Sequence, residues 1–333
     1  MPGPSLRVGV VGAGHFGRYH ALKVAASPRT ILTGIADLDV ERAKTLGWEA
    51  GAPHMPFEAL LAASDALVIA SPADTHHTLA AAALRAGKHV LVEKPIAATL
   101  AEAEELGELA QGHGRVLQVG HLERFSAAFQ AMEGKVVNPL YVEATRIAPF
   151  KPRGTDVSVI LDLMIHDLDL VLALVDSEIE SVDAIGGAVA SQHEDIANAR
   201  LRFRNGAVAS ITASRISPRI ERRMRIFAQD RYVAADFAAR KLTVIHRNPG
   251  NKAPVSMPVP GLSGFGMEEV SWEDQDSLAA EHAAFAASVL DGAPVQVGAA
   301  VGRRALAAAL DVARAMQDSR ERMIGSELIT PPG

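Results

Sequence analysis

Three short segments of this chain hold residues suited to proton transfer or anion binding. Val92-Glu93-Lys94-Pro95 ends an apolar, strand-like run, so Lys94 stands where an open parallel sheet offers its carboxyl edge to ligands. Its ammonium could hydrogen-bond a hydroxyl that becomes a ketone and steady the developing alkoxide. Pro95 fixes the backbone after it and brings no N–H. The segment Leu161–Asp169 puts Asp162 and His166 at i and i+4, on one face of an expected helix. An imidazole can take a proton from a hydroxyl near neutral pH, and a carboxylate one turn away could orient it or hold a neighbouring hydroxyl. Taken singly, a strand-end lysine is a solvated charge and an acid–histidine pair is incidental; the position of Lys94 in the sheet raises it above that reading. Asp167 and Asp169 read as structural partners. The local acidic cluster has a single histidine and no second ligand set at metal spacing, so no metal is expected.

The third segment is Val8-Gly9-Val10-Val11-Gly12-Ala13-Gly14-His15-Phe16-Gly17, an apolar strand run ending in Gly-x-Gly-x-x-Gly before a helical stretch. Gly12 permits the sharp turn, Gly14 lets a pyrophosphate approach the backbone, and Gly17 lets helix and strand pack closely. The phosphates would rest on the free N–H groups at the helix start, beside His15 and Phe16. A second strand-like run, Thr30–Ala36, ends at Asp37, twenty positions after Gly17. A carboxylate there accepts bonds from both adenosine ribose hydroxyls and repels a 2′-phosphate. No arginine follows Asp37 until Arg42, so the expected cofactor is NAD rather than NADP.

Strands and helices alternate through the first third of the chain. Expected strands are Leu6–Val11, Thr30–Ala36, Asp65–Ala70, His89–Val92 and Arg115–Val119. Helices are expected from His15, over Val40–Leu46, Thr75–Ala86 and Leu100–Gln111. This alternation implies a doubly wound parallel sheet. After about Gly120 the segments Leu140–Arg146, Ile179–Ile185, Ala197–Arg204, Ala207–Ser214, Arg222–Ala228 and Arg231–Phe237 read as strands joined by turns such as Asn205-Gly206. They predict a large open, mainly antiparallel sheet. Leu161–Leu174, Leu278–Leu290 and Val301–Gln317 read as helices, and 248–265 as a loop. The fold class is therefore α/β, with a Rossmann domain over 1–121 and a substrate-binding and oligomerisation domain over 122–333.

Composition bounds the function. The 333 residues are 48% hydrophobic and 22% charged, which suits two ordinary globular domains. A net charge of −6 argues against nucleic acid and gives no reason for a membrane partner. The absence of cysteine excludes disulfides, thiolate nucleophiles and Cys-ligated metals, and fits a reducing compartment. No secretory leader or membrane-spanning run is read, so a cytoplasmic location is expected.

Ser71-Pro72-Ala73-Asp74-Thr75-His76 and Ala86-Gly87-Lys88-His89-Val90-Leu91-Val92-Glu93-Lys94-Pro95, together with Gly12 to Gly17, His20 and Asp162-x-x-x-His166, resemble the signature of the glucose–fructose oxidoreductase/inositol dehydrogenase (Gfo/Idh/MocA) family. The resemblance spans essentially the whole chain. It implies an NAD(P)-dependent dehydrogenase acting on CH–OH groups, with Lys94, Asp162 and His166 as catalytic triad. By the same resemblance Ser71, Pro72 and His76 line the nicotinamide ribose, and Glu93 lies beside the nicotinamide with Lys94. The chain departs from the pattern at Ala73, where the family often has Asn, and at Val157-Ser158-Val159-Ile160, where many members have a glycine run.

Gly120-His121-Leu122-Glu123-Arg124-Phe125, the Leu161–Asp169 segment and Thr212-Ala213-Ser214-Arg215 resemble the bacterial nucleotide-sugar dehydrogenases of that family. This implies a UDP-sugar such as UDP-GlcNAc, oxidised at C3 to a ketone that a downstream aminotransferase would take toward lipid A. Arg124, Lys151, Arg153 and Arg215 are candidates for the substrate. Arg200, Arg202 and Arg204 recur at period two and are followed by Arg219, Arg222, Arg223 and Arg225. Guanidinium forks suit a diphosphate, and equally suit pairing with Glu194, Asp195 and Glu221. A free sugar or inositol remains an alternative substrate, and a non-catalytic NAD-binding regulator an alternative class. A homodimer or homotetramer is expected, since the family covers the open sheet with another subunit.

Overall fold

Apolar runs without alternation build the first sheet. β1 (Leu6–Val11), β2 (Thr30–Ala36), β3 (Ala66–Ile69), β4 (His89–Glu93) and β5 (Leu117–Gly120) are all parallel, in the order β2-β1-β3-β4-β5. Strands covered on both faces need no polar side, and β3 and β5 are buried at every residue. Helices α1 (His15–Ala26), α2 (Val40–Ala50), α3 (Phe57–Ala63), α4 (His76–Arg85) and α5 (Leu100–Gly112) connect them. Their ends are written in the sequence. Asp39 caps α2 by accepting from the Arg42 N–H at 3.0 Å, and Thr99 and Glu102 form a reciprocal capping box on α5. The short α3, with Leu60 alone buried, was not among the expected helices. The strand order reverses between β1 and β3, which is where such sheets open a crevice for ligands.

This computed structural model describes residues 5–151, 157–247, 257–273 and 275–328. The second sheet has nine strands. After α6 (Ala127–Met132) come β6 (Tyr141–Ile147), a π-helical turn (Ile160–Met164), α7 (Ile165–Leu174) and strands β7 (Ile179–Gly187), β8 (Ile196–Phe203) and β9 (Val208–Ser214). They continue through β10 (Glu221–Phe227), β11 (Arg231–Asp236), β12 (Lys241–Arg247), β13 (Met257–Pro258) and β14 (Phe265–Ser271). The order is β13-β14-β12-β11-β10-β6-β9-β8-β7, and β6 with β9 is the parallel pair among antiparallel ones. Alternation is strict: β8 buries every second residue and exposes the rest.

Two expectations change here. Strands β12, β13 and β14 were not foreseen, and part of the expected loop over 248–265 is β13 and the start of β14; its residues 248–256 lie outside the described residues. The helix expected over 161–174 is a π turn followed by α7, so Asp162 and His166 do not share one regular α-helix. The last helices are α8 (Ser277–Leu290) and α9 (Ala299–Gly325).

Two compact units result: Met1–Ser126 with Asp276–Leu306, and Ala127–Gln275 with Ala307–Gly333. The single cut expected after residue 121 thus differs from the packing, because the chain returns to its first unit. The reason is apolar: Phe285 of α8 joins the core formed by Val8, Val10, Val24 and Leu91, and Gln118 of β5 donates to the Glu281 carbonyl at 3.2 Å.

Candidate active site

In the first unit the loops after β1, β3 and β4 form one edge. Gly12 adopts φ +99°, and a Cβ there would lie 2.5 Å from the Ala70 carbonyl oxygen. A Cβ on Gly17 would lie 1.8 Å from the Gly12 carbonyl oxygen, so both positions demand glycine on steric grounds. Gly14, which precedes α1, has nothing within 4 Å of its would-be Cβ and offers no side-chain cap to the helix. The start of α1 therefore presents backbone N–H groups beneath open space. His15 and Phe16 are exposed on this first turn, their rings edge to face at 5.6 Å.

Asp37 closes one side of that cradle. Its Oδ2 accepts from the Ala13 N–H at 2.6 Å, and its Oδ1 accepts from the Asp39 N–H at 2.8 Å and from Arg42 Nη2 at 2.7 Å. Burial works to raise its pKa, but the bonds from Arg42, Ala13 and Asp39 outweigh burial and hold it below the usual carboxylate value. Arg42, the first arginine after Asp37 in sequence, thus stands on the acid itself.

The other side is braced by His76. Its Nε2 lies 2.9 Å from the Ser71 carbonyl oxygen and its Nδ1 lies 2.8 Å from that of Pro95. Both ring nitrogens face backbone, so His76 ties the end of β3 to the Lys94-Pro95 corner. Ser71 Oγ lies 2.6 Å from Thr75 Oγ1, and Pro72 is exposed beside them. Lys94 is half-buried just past β4, and its backbone N–H donates to Glu93 Oε2 at 3.2 Å. Gly120 on the neighbouring β5 leaves the room: a Cβ there would meet the Glu93 carboxyl at 3.0 Å.

Behind Glu93 lies a polar cluster that the sequence did not announce. Glu93 Oε1 accepts from His20 Nε2 at 2.9 Å, and His20 Nδ1 lies 2.9 Å from His282 Nε2. Glu281 completes the group; His20, Glu93 and Glu281 offer ligand-type atoms all within 4.8 Å of one another, every one buried. Burial would raise the Glu93 pKa, but the His20 hydrogen bond and the charges of His20 and Lys94 hold it below the ordinary value. Burial, with the Glu93 charge added, pushes Glu281 well above it. Burial drives His282 well down. A signal existed: Glu281 stands four residues before Phe285, on the face of α8 that also buries His282 and Ser288.

In the second unit Asp162 lies in the π turn and His166 in the first turn of α7, both half-buried. Asp167 is a structural partner: it is buried and takes two hydrogen bonds from Arg146, at 2.8 and 3.0 Å. Of the substrate candidates, Arg124 is half-buried in a short 3-10 turn of the first unit and Lys151 is exposed in the second. Arg153 lies outside the described residues. Arg215 is buried: it donates to Asp195 at 2.9 Å, to the Val157 carbonyl at 2.9 Å and to Ser191 Oγ at 3.1 Å. That engagement makes it a brace for this part of the second unit rather than a diphosphate fork. Burial opposes ionisation of Asp195, yet N–H donors from Ala190, Val189 and Ser191, with Arg215, hold it far below a normal aspartate.

The family is decided by comparison. The family described as "Oxidoreductase family, NAD-binding Rossmann fold" matches residues 6–121, and the GFO/IDH/MocA C-terminal domain matches 97–233. A protein of Acidithiobacillus ferrooxidans named UDP-N-acetylglucosamine 3-dehydrogenase is 42% identical over 319 residues, 95% of this chain and 99% of that one. This chain belongs to the Gfo/Idh/MocA oxidoreductase family. A solved structure of UDP-N-acetylglucosamine 3-dehydrogenase from A. ferrooxidans superposes with a TM-score of 0.87 at 41% identity, covering 94% of this chain and 98% of that one. Myo-inositol 2-dehydrogenase of Thermotoga maritima is 26% identical over 96% of this chain and its full length.

As a Gfo/Idh/MocA member the chain is a dehydrogenase, and its first unit carries the family's NAD-binding Rossmann fold. The residues present fit that cofactor: the Gly12–Gly17 cradle is open where a pyrophosphate would rest, and the Asp37 carboxylate stands at the end of β2 where a ribose would meet it. Among the described residues no helix is long and apolar enough to cross a membrane.

Proposed function

We propose that this dehydrogenase oxidises the C3 hydroxyl of UDP-GlcNAc to a ketone. The supporting observation is the near-full-length likeness to a protein that bears that activity in its name, joined to a chain that keeps Lys94, Asp162 and His166. The first unit, built on Met1–Ser126, carries the cofactor and the second, built on Ala127–Gln275, the sugar. Gly12, Gly14, Gly17, His15 and Phe16 receive the pyrophosphate, Asp37 the adenosine ribose, and Ser71, Pro72, Glu93 and Lys94 the nicotinamide end, with His76 holding their loops in place. NAD, when bound, supplies the acceptor for the hydride that leaves C3.

His166 takes the hydroxyl proton, and Asp162 orients it or holds the neighbouring hydroxyl. The Lys94 ammonium faces the oxygen on which negative charge develops and stabilises it as the C=O bond forms. Arg124, Lys151 and Arg153 bind the charged end of the substrate. The keto sugar is a substrate for a glutamate-dependent aminotransferase, a step on the way to lipid A. We place the enzyme in the cytoplasm and expect a homodimer or homotetramer, to be read by light scattering.

The deciding experiment follows absorbance of reduced nicotinamide with UDP-GlcNAc and NAD, a carbonyl trap drawing off the ketone. Free sugar, myo-inositol and NADP are run beside it. Turnover with UDP-GlcNAc and NAD alone is expected. Turnover with myo-inositol but not with UDP-GlcNAc would discard the nucleotide-sugar reading and keep the catalytic set.

A further inference from the structure

The buried group behind Lys94 contains two carboxyls and one direct cationic partner at most. Glu93 has His20 and the Lys94 N–H. Glu281 is fully buried, and neither of its carboxyl oxygens has a hydrogen-bond partner among the described residues. Two carboxylates this close, shut away from water, cannot both ionise without a counter-charge. We propose that Glu281 carries the single proton of this pair, and that as a neutral acid it is a positioning residue for the Glu93–Lys94 corner. This inference rests on the reading of Lys94 as a catalytic residue.

Glu93, as a carboxylate, accepts; His20 therefore donates through Nε2. His20 Nδ1 in turn lies 2.9 Å from His282 Nε2, and burial pushes His282 toward its neutral form. The row His282–His20–Glu93–Lys94 N–H thus runs from α8 to the strand end that presents the Lys94 side chain. A charge on Glu281 would repel Glu93 and compete for His20, loosening the grip on that N–H. Glu93, the last residue of β4, acts on Glu281 directly; Lys94 and His20 act on Glu93, and His20 and Lys23 of α1 act on His282 of α8. The 3-10 turn Leu122–Phe125, which packs on α8, carries Glu123 and Arg124, with His121 before it. Lys23 is itself paired with Asp276. The direction of the Glu281 shift agrees: burial and Glu93 both raise it.

The sign of the pH effect follows from linkage. A group whose pKa is raised on folding binds more protons in the native state, so stability falls as pH climbs above its unfolded value, about 4.3. Glu281→Gln keeps the shape of the neutral acid and removes that loss. The melting temperature of Glu281→Gln minus that of the parent should therefore rise with pH between 5 and 8, by about 2 °C per unit. Turnover should stay within about threefold of the parent in Glu281→Gln. It should fall about tenfold in Glu281→Ala, with KM for NAD little changed. A melting difference that is flat or falls with pH would show Glu281 ionised in the native state and overturn the proposal. So would one equivalent of a divalent metal in the purified parent, lost in Glu281→Gln, because the pair would then be neutralised by a cation. Lys94→Ala is measured alongside: full turnover there would remove the Lys94 reading, while the melting series still decides where the proton sits.

Discussion

Charge has opposite meanings in the two sheets. In the parallel sheet of the first unit most strand residues are buried, and two of the buried polar ones, Glu93 and Gln118, lie at the cluster behind Lys94. On the open face of the nine-stranded sheet, charge is routine. Arg225 of β10 sits opposite Glu143 of β6, Arg223 opposite Asp236 of β11, and Arg200 opposite Ser210 of β9. The first two pairs are ion pairs, at 2.5 and 2.8 Å, and the third is a hydrogen bond at 3.4 Å. Such cross-strand pairs are how a half-exposed antiparallel sheet is stabilised. A row of arginines at period two therefore needs no phosphate to explain it, whereas a glutamate inside a parallel sheet does need explaining.

The contrast can be tested within one pair of strands. Arg146 and Arg225 lie on the two faces of paired β6 and β10: one is buried against Asp167, the other exposed against Glu143. Asp167→Ala strands the buried guanidinium and should cost about 3–5 kcal/mol, seen as a lowered denaturation midpoint. Lys94→Ala should cut kcat by about 10²- to 10³-fold, while NAD affinity by titration calorimetry moves little. Asp37→Ala should weaken NAD binding by about 10- to 100-fold. It also frees Arg42 from its acid, so NADP should gain where NAD loses; the double change Asp37→Ala with Arg42→Ala should abolish that gain. Arg225→Ala should cost less than about 1 kcal/mol and leave KM for the sugar nucleotide unchanged. A large rise in that KM would restore the open-face arginines as a binding surface.

Much of this was legible in the residues because it depends on local rules. Gly12 and Gly17 are fixed by atoms a few residues away in the chain or in an adjacent strand, and unbroken apolar runs gave the five parallel strands nearly to the residue. What escaped depends on distant partners. Glu281 lies far along the chain from His20 and Glu93, and its helix shows an apolar pattern that conceals one buried acid. Arg215 has the chemistry of a phosphate ligand, and burial beside Asp195 gives it another occupation. Strand β14 was missed for a related reason: its pattern follows a Pro- and Gly-rich stretch and alternates weakly, with Gly266 its fully buried residue.

The π turn at Ile160–Met164 has a consequence for tolerance to change. A π turn is an α-helix that has taken in one extra residue. Deleting a single residue between Ile160 and Leu163 would let the turn relax to regular α-helix and swing everything upstream by about 100° about the axis. If Leu161 were the residue lost, Asp162 and His166 would still be four apart and share a helix face, while the segment leading into the turn would change its facing. Length, not side-chain identity, thus aims the chain that enters α7. Loss of Leu161 should disturb that approach without unfolding α7, whereas a substitution at Leu161 should be borne.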